Sequence, residues 1–437
     1  MRRTHLSRSR NIGRIGIALA ILLTVSGCTV GAPSAETASP SPDDTSTEPT
    51  TPAPVADGED LDPGTAFTPL IASTVTIPAP VKGTDEKVHL AYELLLTNAT
   101  SLPFELKGLE VADVTSGEQL LLIGPDQLHR SVIRMGASSE GTDEVGPVTI
   151  GPAETWIAWI DVKLDEGAAV PARVQHTASG ALVRPNGTPA EVDASIGTVA
   201  VDERGATVVA VPVQAGTWYM SEGCCVDDTH HRRGFAPING QGLVPQRFAI
   251  DFYMLDDENR TWVGDPSQIT SYLTYQQPIL AAAAGTVVRS VDGFANSTSM
   301  PEPPPIPPIE ETVGNHVVVE IEPGLYALYG HMDTGSVRVK VGDKVEQGQE
   351  LGLIGSSGNS TTPHLHFHLQ TEPTFFPSDG VPYAFEEFEL LGSITERLWD
   401  DNLGLEPTGE LPFEAVEPSV RREELPLDRT VIRVTDE

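Results

Sequence analysis

The chain has 437 residues, with 62 Asp and Glu against 27 Lys and Arg, and a formal net charge of −35. So large an acidic excess is repelled by nucleic acid and by anionic lipid headgroups, and it excludes a role built on binding either. It is better read as a solubility device for an extracellular surface, on a chain long enough for two or three ordinary domains.

Residues 1–28 precede any fold. Arg2, Arg3, Arg8, Arg10 and Arg14 make a basic start, and IGIALAILLTVS (15–26) is an apolar run too short to span a bilayer permanently. VSGC follows, and small residues ending in Cys28 resemble the bacterial lipobox. That resemblance implies a lipoprotein signal peptide and a chain anchored through lipidated Cys28 on the extracellular face of the cell membrane. Ordinary signal-peptide cleavage beside an incidental Cys is the alternative. Because residues 1–28 hold those five arginines and no acid, their removal takes the net charge from −35 to −40.

Residues 29–64 are rich in Ser, Thr, Pro, Ala and acid, lack the apolar residues of a core, and are expected to be a disordered tether. Residues 65–215 read as all-β. VHLAYELLLTN (88–98) puts Val88, Leu90, Tyr92 and Leu94 on one face, and TWIAWIDVKLD (155–165) does the same with Trp156, Ala158, Ile160, Val162 and Leu164. Short alternating runs between Gly, Pro and Asn suggest a β-sandwich-like domain, a spacer or binding module without a pattern of histidines or carboxylates.

Residues 216–395 hold nearly all the chemistry, on short strands punctuated by glycine. The proline-rich insert 293–312 is expected to protrude as an extended loop, and the acidic stretch 396–437 to be a C-terminal tail. Cys224 and Cys225 are adjacent; a disulfide in an eight-membered ring, a thiol pair and a contribution to a metal site all stay open. PHLHFHL (363–369) alternates, so on a strand His364, His366 and His368 share one face while Leu365, Phe367 and Leu369 take the other. A zinc hydrolase needs about three N or O ligands with one open position, and a base or proton donor beside them.

YALYGHMDTGSVRVKVGDKVEQGQELGLIGSSGNSTTPHLHF (326–367) resembles the C-terminal half of an M23 peptidase domain, also called LytM or lysostaphin-like. The shared pattern is Tyr-x-His, a Gly-Asp hairpin, a GxxGxS stretch and Pro-His-Leu-His-Phe, and PILAAAAGTVVRSV (278–291) resembles the strand pair before it. The resemblance implies an all-β chain in which the sandwich precedes an antiparallel β-sheet peptidase domain with one zinc ion. It implies His366 as a zinc ligand, His331 and His364 as catalytic residues near the reacting water, Asp251 as a second ligand and Tyr329 as structural. His368 stands where many members carry Glu, and it is expected as a solvated strand residue, with participation in the site as the alternative.

One departure bears on the metal. The family has His-x-x-x-Asp where this chain has RFAID, so Arg247 stands at the histidine position, and a guanidinium has no lone pair to give. QRFAIDF is expected to run straight with Phe248, Ile250 and Phe252 buried, which puts residues 247 and 251 roughly 13 Å apart. A ligand from GCCVDDTHHRRG (223–234) is the way out. His231 is preferred to His230 there, with an exposed junction loop as the alternative. Arg247 itself either pairs with Asp251 or another carboxylate, occupying the cation site, or binds a substrate carboxylate.

Two functions follow. One is a lipid-anchored zinc endopeptidase acting on the peptide cross-bridges of peptidoglycan. The other is a degenerate LytM-type module that binds cell wall or regulates a partner hydrolase. A lipoyl- or biotinyl-carrier reading of GDKVEQGQELGLI fails, because Lys344 lacks the setting such carriers need.

Overall fold

In a computed structural model of the chain, the described residues are 66–137, 141–142, 144–226, 229–298, 309–395 and 409–435. The signal segment, Cys28, the tether, Asp227, Asp228 and the middle of the 293–312 insert lie outside them. Of the two units into which the chain divides, Met1–Phe67 and Thr68–Glu437, the second is described below.

Period-two alternation builds the first part of this unit. Its long strands are β1 (Lys87–Asn98), β2 (Phe104–Asp113), β3 (Thr155–Asp165), β4 (Arg173–Val183) and β5 (Pro189–Ala200). One sheet runs Leu70–Thr74, β1, β3, Val132–Arg134; the other runs β5, β4, β2, Gln119–Ile123. Leu90, Tyr92 and Leu94 of β1 and Ala158, Ile160, Val162 and Leu164 of β3 pack against Phe104, Leu106, Leu109 and Val111 of β2. Two sheets with their apolar faces together make the expected sandwich.

The second face of the β1–β3 sheet is covered over its middle. Residues out of phase with its core, Ala91 on β1 and Ile157 and Trp159 on β3, are also buried, against Val244 and the core of the second part. Charged residues on this hidden face need partners. His89 is buried between Asp161 (Nδ1 to Oδ1, 2.9 Å) and Asp85 (Nε2 to Oδ1, 3.0 Å). Burial opposes a charged ring, yet the two carboxylates outweigh it and lift the His89 pKa to about 9.

The second part adds β6 (Gly216–Ser221), β7 (Ile250–Leu255), β8 (Gly285–Val291), β9 (Asn315–Glu322), β10 (Leu325–Met332), β11 (Leu365–Gln370), β12 (Tyr383–Ser393), β13 (Glu414–Glu424) and β14 (Thr430–Val434). They form one sheet in the order Thr207–Val209, β12, β14, β6, β7, β11, β10, β9, β8, Lys344–Val345, with β13 paired to β12. The stretch 396–437, expected as a tail, therefore supplies β13 and β14, while 396–408 lie outside the described residues. Val431 and Ile432 are fully buried, so a short apolar run in acidic surroundings becomes an interior strand.

QRFAIDF also departs from expectation. Its start is a turn, with Arg247 N–H donating to Val244 O and Ala249 N–H to Gln246 O, and the strand begins only at Ile250. Phe248, Ile250 and Phe252 still all reach the core. The turn carries Arg247 away from Asp251 and into the interface between the two parts. There its guanidinium donates to Glu93 of β1 (Nη2 to Oε2, 2.7 Å), to Asp379 (Nη1 to Oδ2, 2.8 Å) and to Gly380 O (2.6 Å). Arg247 does pair with carboxylates as expected, but with Glu93 and Asp379 and away from the cation site, and the substrate-binding role fails. It is a buried ion-pair partner, in contact neither with Asp251 nor with solvent.

Two outcomes are expected. Glu93→Gln removes one carboxylate from a buried guanidinium, and urea titration should show a loss of about 3–5 kcal/mol. His89 has its pKa raised from 6.5, so its stabilisation is complete below about pH 6.5 and disappears as pH rises through about 9. Denaturation midpoints across that window should fall less steeply in His89→Gln than in the unmodified chain.

Candidate metal centre

Strand register assembles the site. Asp251 on β7 lies opposite His366 on β11, and His366 lies opposite Gly330 on β10, one residue before His331. Leu365, Phe367 and Leu369 enter the core, which turns His366 and His368 to the other face of the sheet. His364 precedes the strand on that same side. The loop after β6 returns His231 to the cluster, where its ring meets that of His366 edge-on at 4.8 Å.

Asp251 is the centre. His366 Nδ1 is 3.0 Å from its Oδ1, while His364 Nε2 and His231 Nε2 are 3.5 and 3.6 Å from its Oδ2. His331 stands behind, its ring 4.8 Å from that of His364 and 5.7 Å from that of His366. It holds a left-handed backbone with φ 56°, a conformation uncommon outside glycine and one that places its ring at the site.

Hydrogen bonds decide where each lone pair points. His231 Nδ1 donates to Glu222 O (3.1 Å) and lies 3.3 Å from Ala249 O; His331 Nδ1 donates to Ser357 O (2.7 Å) and His364 Nδ1 to Thr362 O (2.7 Å). A carbonyl only accepts, so in each neutral ring Nε2 is left bare. His366 is fixed by a relay. Gln370 Nε2 donates to Glu372 O, so its Oε1 accepts from His368 Nε2 (2.9 Å), and His368 Nδ1 accepts from His366 Nε2 (3.0 Å). His366 Nδ1 is then bare as well, and it faces a carboxylate oxygen.

Burial keeps these rings neutral. It drives His331 down to about 3 and His364 and His368 to about 4, and pushes His231 and His366 well below the usual histidine range. Burial lifts Asp251 to about 6, against the pull of His364 and His230. At neutral pH a carboxylate is thus surrounded by bare nitrogen lone pairs with no proton between them. Such a set repels itself unless a cation lies inside it. Ligand atoms about 2.0–2.2 Å from a tetrahedral zinc are spaced about 3.3–3.6 Å apart. The spacings of 3.0 Å to His366 and 3.6 Å to His231 around Asp251 lie near that scale, so the donor set fits a zinc ion.

Of the residues singled out in the sequence, Asp251, His366, His231, His364 and His331 come together here. Tyr329 does not enter the site; its hydroxyl accepts from Ala282 N–H (2.8 Å) and its ring packs on Phe367. His368 is a correction. It is fully buried, not solvated, because Gln370 and His366 satisfy both its nitrogens. The alternating His-x-His-x-Gln pattern was the available clue to this relay. His230 lines the mouth; its side chain is 64% exposed and its Nδ1 lies 2.9 Å from Glu222 Oε2. Its ligand atom, those of His231 and those of Asp251 lie within 4.8 Å of one another, so it faces the same centre. Cys224 and Cys225 form a disulfide, which closes the question of a thiolate ligand.

Comparison with known proteins bears on what this geometry is for. Residues 269–376 match the description "Peptidase family M23". The chain carries an M23 peptidase domain. The M23 match takes in His331, His364, His366 and His368 and leaves Asp251 and His231 before its start. Among curated proteins, the cell division protein DipM of Caulobacter vibrioides is 38% identical over 63 residues, 14% of this chain and 10% of that one. The glycyl-glycine endopeptidase ALE-1 of Staphylococcus capitis is 41% identical over 58 residues, covering 13% and 16%. The peptidoglycan DD-endopeptidase ShyA of Vibrio cholerae is 41% identical over 56 residues, covering 13% of each chain. The chain thus spans only about a tenth to a sixth of these relatives' own length.

If the relay holds the His366 lone pair in place, His368→Leu should weaken zinc binding roughly 10–100-fold with the fold intact. Titration against a chromophoric chelator measures it, and an unchanged affinity means that the M23 domain does not use the relay.

Proposed function

We propose that this protein is a zinc metalloendopeptidase that hydrolyses peptide bonds in peptidoglycan cross-bridges. The observation that carries the reading is the convergence of bare nitrogen lone pairs on a buried carboxylate. An M23 match over His331, His364 and His366 supports it, and the activities named for DD-endopeptidase ShyA and glycyl-glycine endopeptidase ALE-1 support the choice of substrate.

Asp251, His366 and His231 are the residues to hold zinc. Bound there, zinc supplies Lewis acidity for the scissile carbonyl and lowers the pKa of the attacking water. The bare Nε2 of His364 accepts a proton as that water adds to the carbonyl carbon. When the C–N bond breaks, the same nitrogen returns the proton to the leaving amine. His331, fixed by Ser357 O, has a bare Nε2 that can only accept, and it orients the attacking water by accepting a hydrogen bond from it. Backbone carbonyls set the tautomers of both rings, so neither has to reorient during turnover.

The degenerate alternative drew its support from Arg247 in place of a family histidine. A buried partnership with Glu93 and Asp379 accounts for that arginine without loss of the site, and His231 offers the missing nitrogen. The proposal extends to the cell surface. The lipobox-like VSGC motif supports anchoring through Cys28 on the extracellular face of the membrane, with peptidoglycan peptides as partners and no nucleic acid. Among the described residues no helix is long and apolar enough to cross a membrane.

The purified chain should carry close to one zinc per molecule and release fragments from isolated peptidoglycan. His366→Ala should lose both zinc and hydrolysis. His364→Ala should keep zinc while hydrolysis falls about 10²–10⁴-fold. Zinc retained in the first variant, or full hydrolysis in the second, removes the assigned roles. A chain that binds no zinc but still binds the wall points to the degenerate module.

A further inference from the structure

The loop that delivers His231 is seated from behind by the N-terminal sandwich. His231 is followed by Arg232 and Arg233, and both point into the sheet formed by β1 and β3. Arg232 is fully buried, and its Nη2 donates to Ile160 O in the middle of β3 (2.6 Å). Arg233 Nη2 donates to Arg130 O (2.6 Å), and its guanidinium lies 5.7 Å from the ring centroid of Trp159, also on β3. Phe235 packs with Trp159, Ile157 and Val244. The turn itself is tight, with Arg233 N–H donating to Thr229 O and Gly234 N–H to His231 O. Within three residues, then, one side chain faces Asp251 and the next two are anchored on the sandwich, Arg232 at β3 and Arg233 at Arg130 O and the Trp159 ring.

We propose that the N-terminal sandwich is a working part of the metal centre: through Arg232 and Arg233 it positions His231 for the ion. It is neither a spacer nor a separate binding module. This inference rests on His231 being a ligand, as argued above. The physical reason lies in the Arg232 hydrogen bond to Ile160 O and in Arg233 lying over Trp159, which together tie the loop to β3. A loop so fixed presents its imidazole already oriented, and the ion meets a site whose ordering has been completed during folding. Arg232 and Arg233 are positioning residues; they touch neither Asp251 nor the histidines of β11.

Zinc binding by the full chain tests this, by competition with a chromophoric chelator, with circular dichroism reporting the fold. Arg232→Met and Trp159→Leu should remain folded and bind zinc roughly 10–100-fold more weakly. Arg233→Lys, which keeps a cation over Trp159, should lie closer to the unmodified chain than Arg233→Gln. His231→Ala separates the two proposals. If it leaves zinc affinity unchanged, the ligand assignment fails. If it weakens binding while folded Arg232→Met and Trp159→Leu match the unmodified chain, the ligand stands and the positioning role is overturned. Should those two variants unfold, hydrogen exchange in the unmutated sequence decides: zinc should slow exchange across 157–161 of β3, and should not do so in His231→Ala. Exchange in β3 that ignores zinc overturns the inference.

Discussion

Everything in the second part of the molecule depends on how β11 divides its side chains. Leu365, Phe367 and Leu369 enter a core with Ile250, Phe252, Tyr329 and Phe385, and each apolar side chain so buried stabilises the fold by about 1.5–3 kcal/mol. Period two leaves His366 and His368 no choice of face. A slip of one residue in register would send the leucines to the site and the imidazoles into the core, so hydrophobic burial fixes the chemistry as firmly as the fold. Pairing with β7 then sets Asp251 against His366, and no loop has to be ordered for that contact to exist.

The price of such a site is electrostatic. Asp251, His231, His331, His364 and His366 are nearly or fully buried, where charge is disfavoured and unpaired lone pairs repel. Backbone carbonyls and the relay through His368 and Gln370 satisfy the outward nitrogens, leaving the inward ones bare. Metal-binding capacity and local instability therefore have one cause. The sandwich offsets part of that cost, because its β1–β3 sheet closes the back of the second part with apolar contacts and with buried partners for Arg232, Arg233 and Arg247.

The relation between the two parts changes the meaning of an arginine. At the family histidine position Arg247 suggested a damaged site, and in isolation that inference was sound, since guanidinium cannot ligate. Glu93, more than a hundred residues earlier in the chain, makes it a structural cation between sheets. The same interface explains the run of His231, Arg232 and Arg233, whose alternating tasks have no signature within the loop's own sequence.

How much of this was readable beforehand follows from range. Local periodicity told which faces of β1, β3 and β11 would be buried, and motif spacing told that His331, His364 and His366 belong together, because both are properties of a few neighbouring residues. The turn at Arg247, the strand at Thr430–Val434 and the burial of His368 were misread, because each depends on what lies opposite in a sheet whose partners are distant in the chain. Sequence alone determined the all-β class and the residue types of the candidate metal centre. Only the tertiary structure decided that His231 meets Asp251 and that Arg247 meets Glu93, since pairing across sheets is set by which buried charges and faces must be satisfied together.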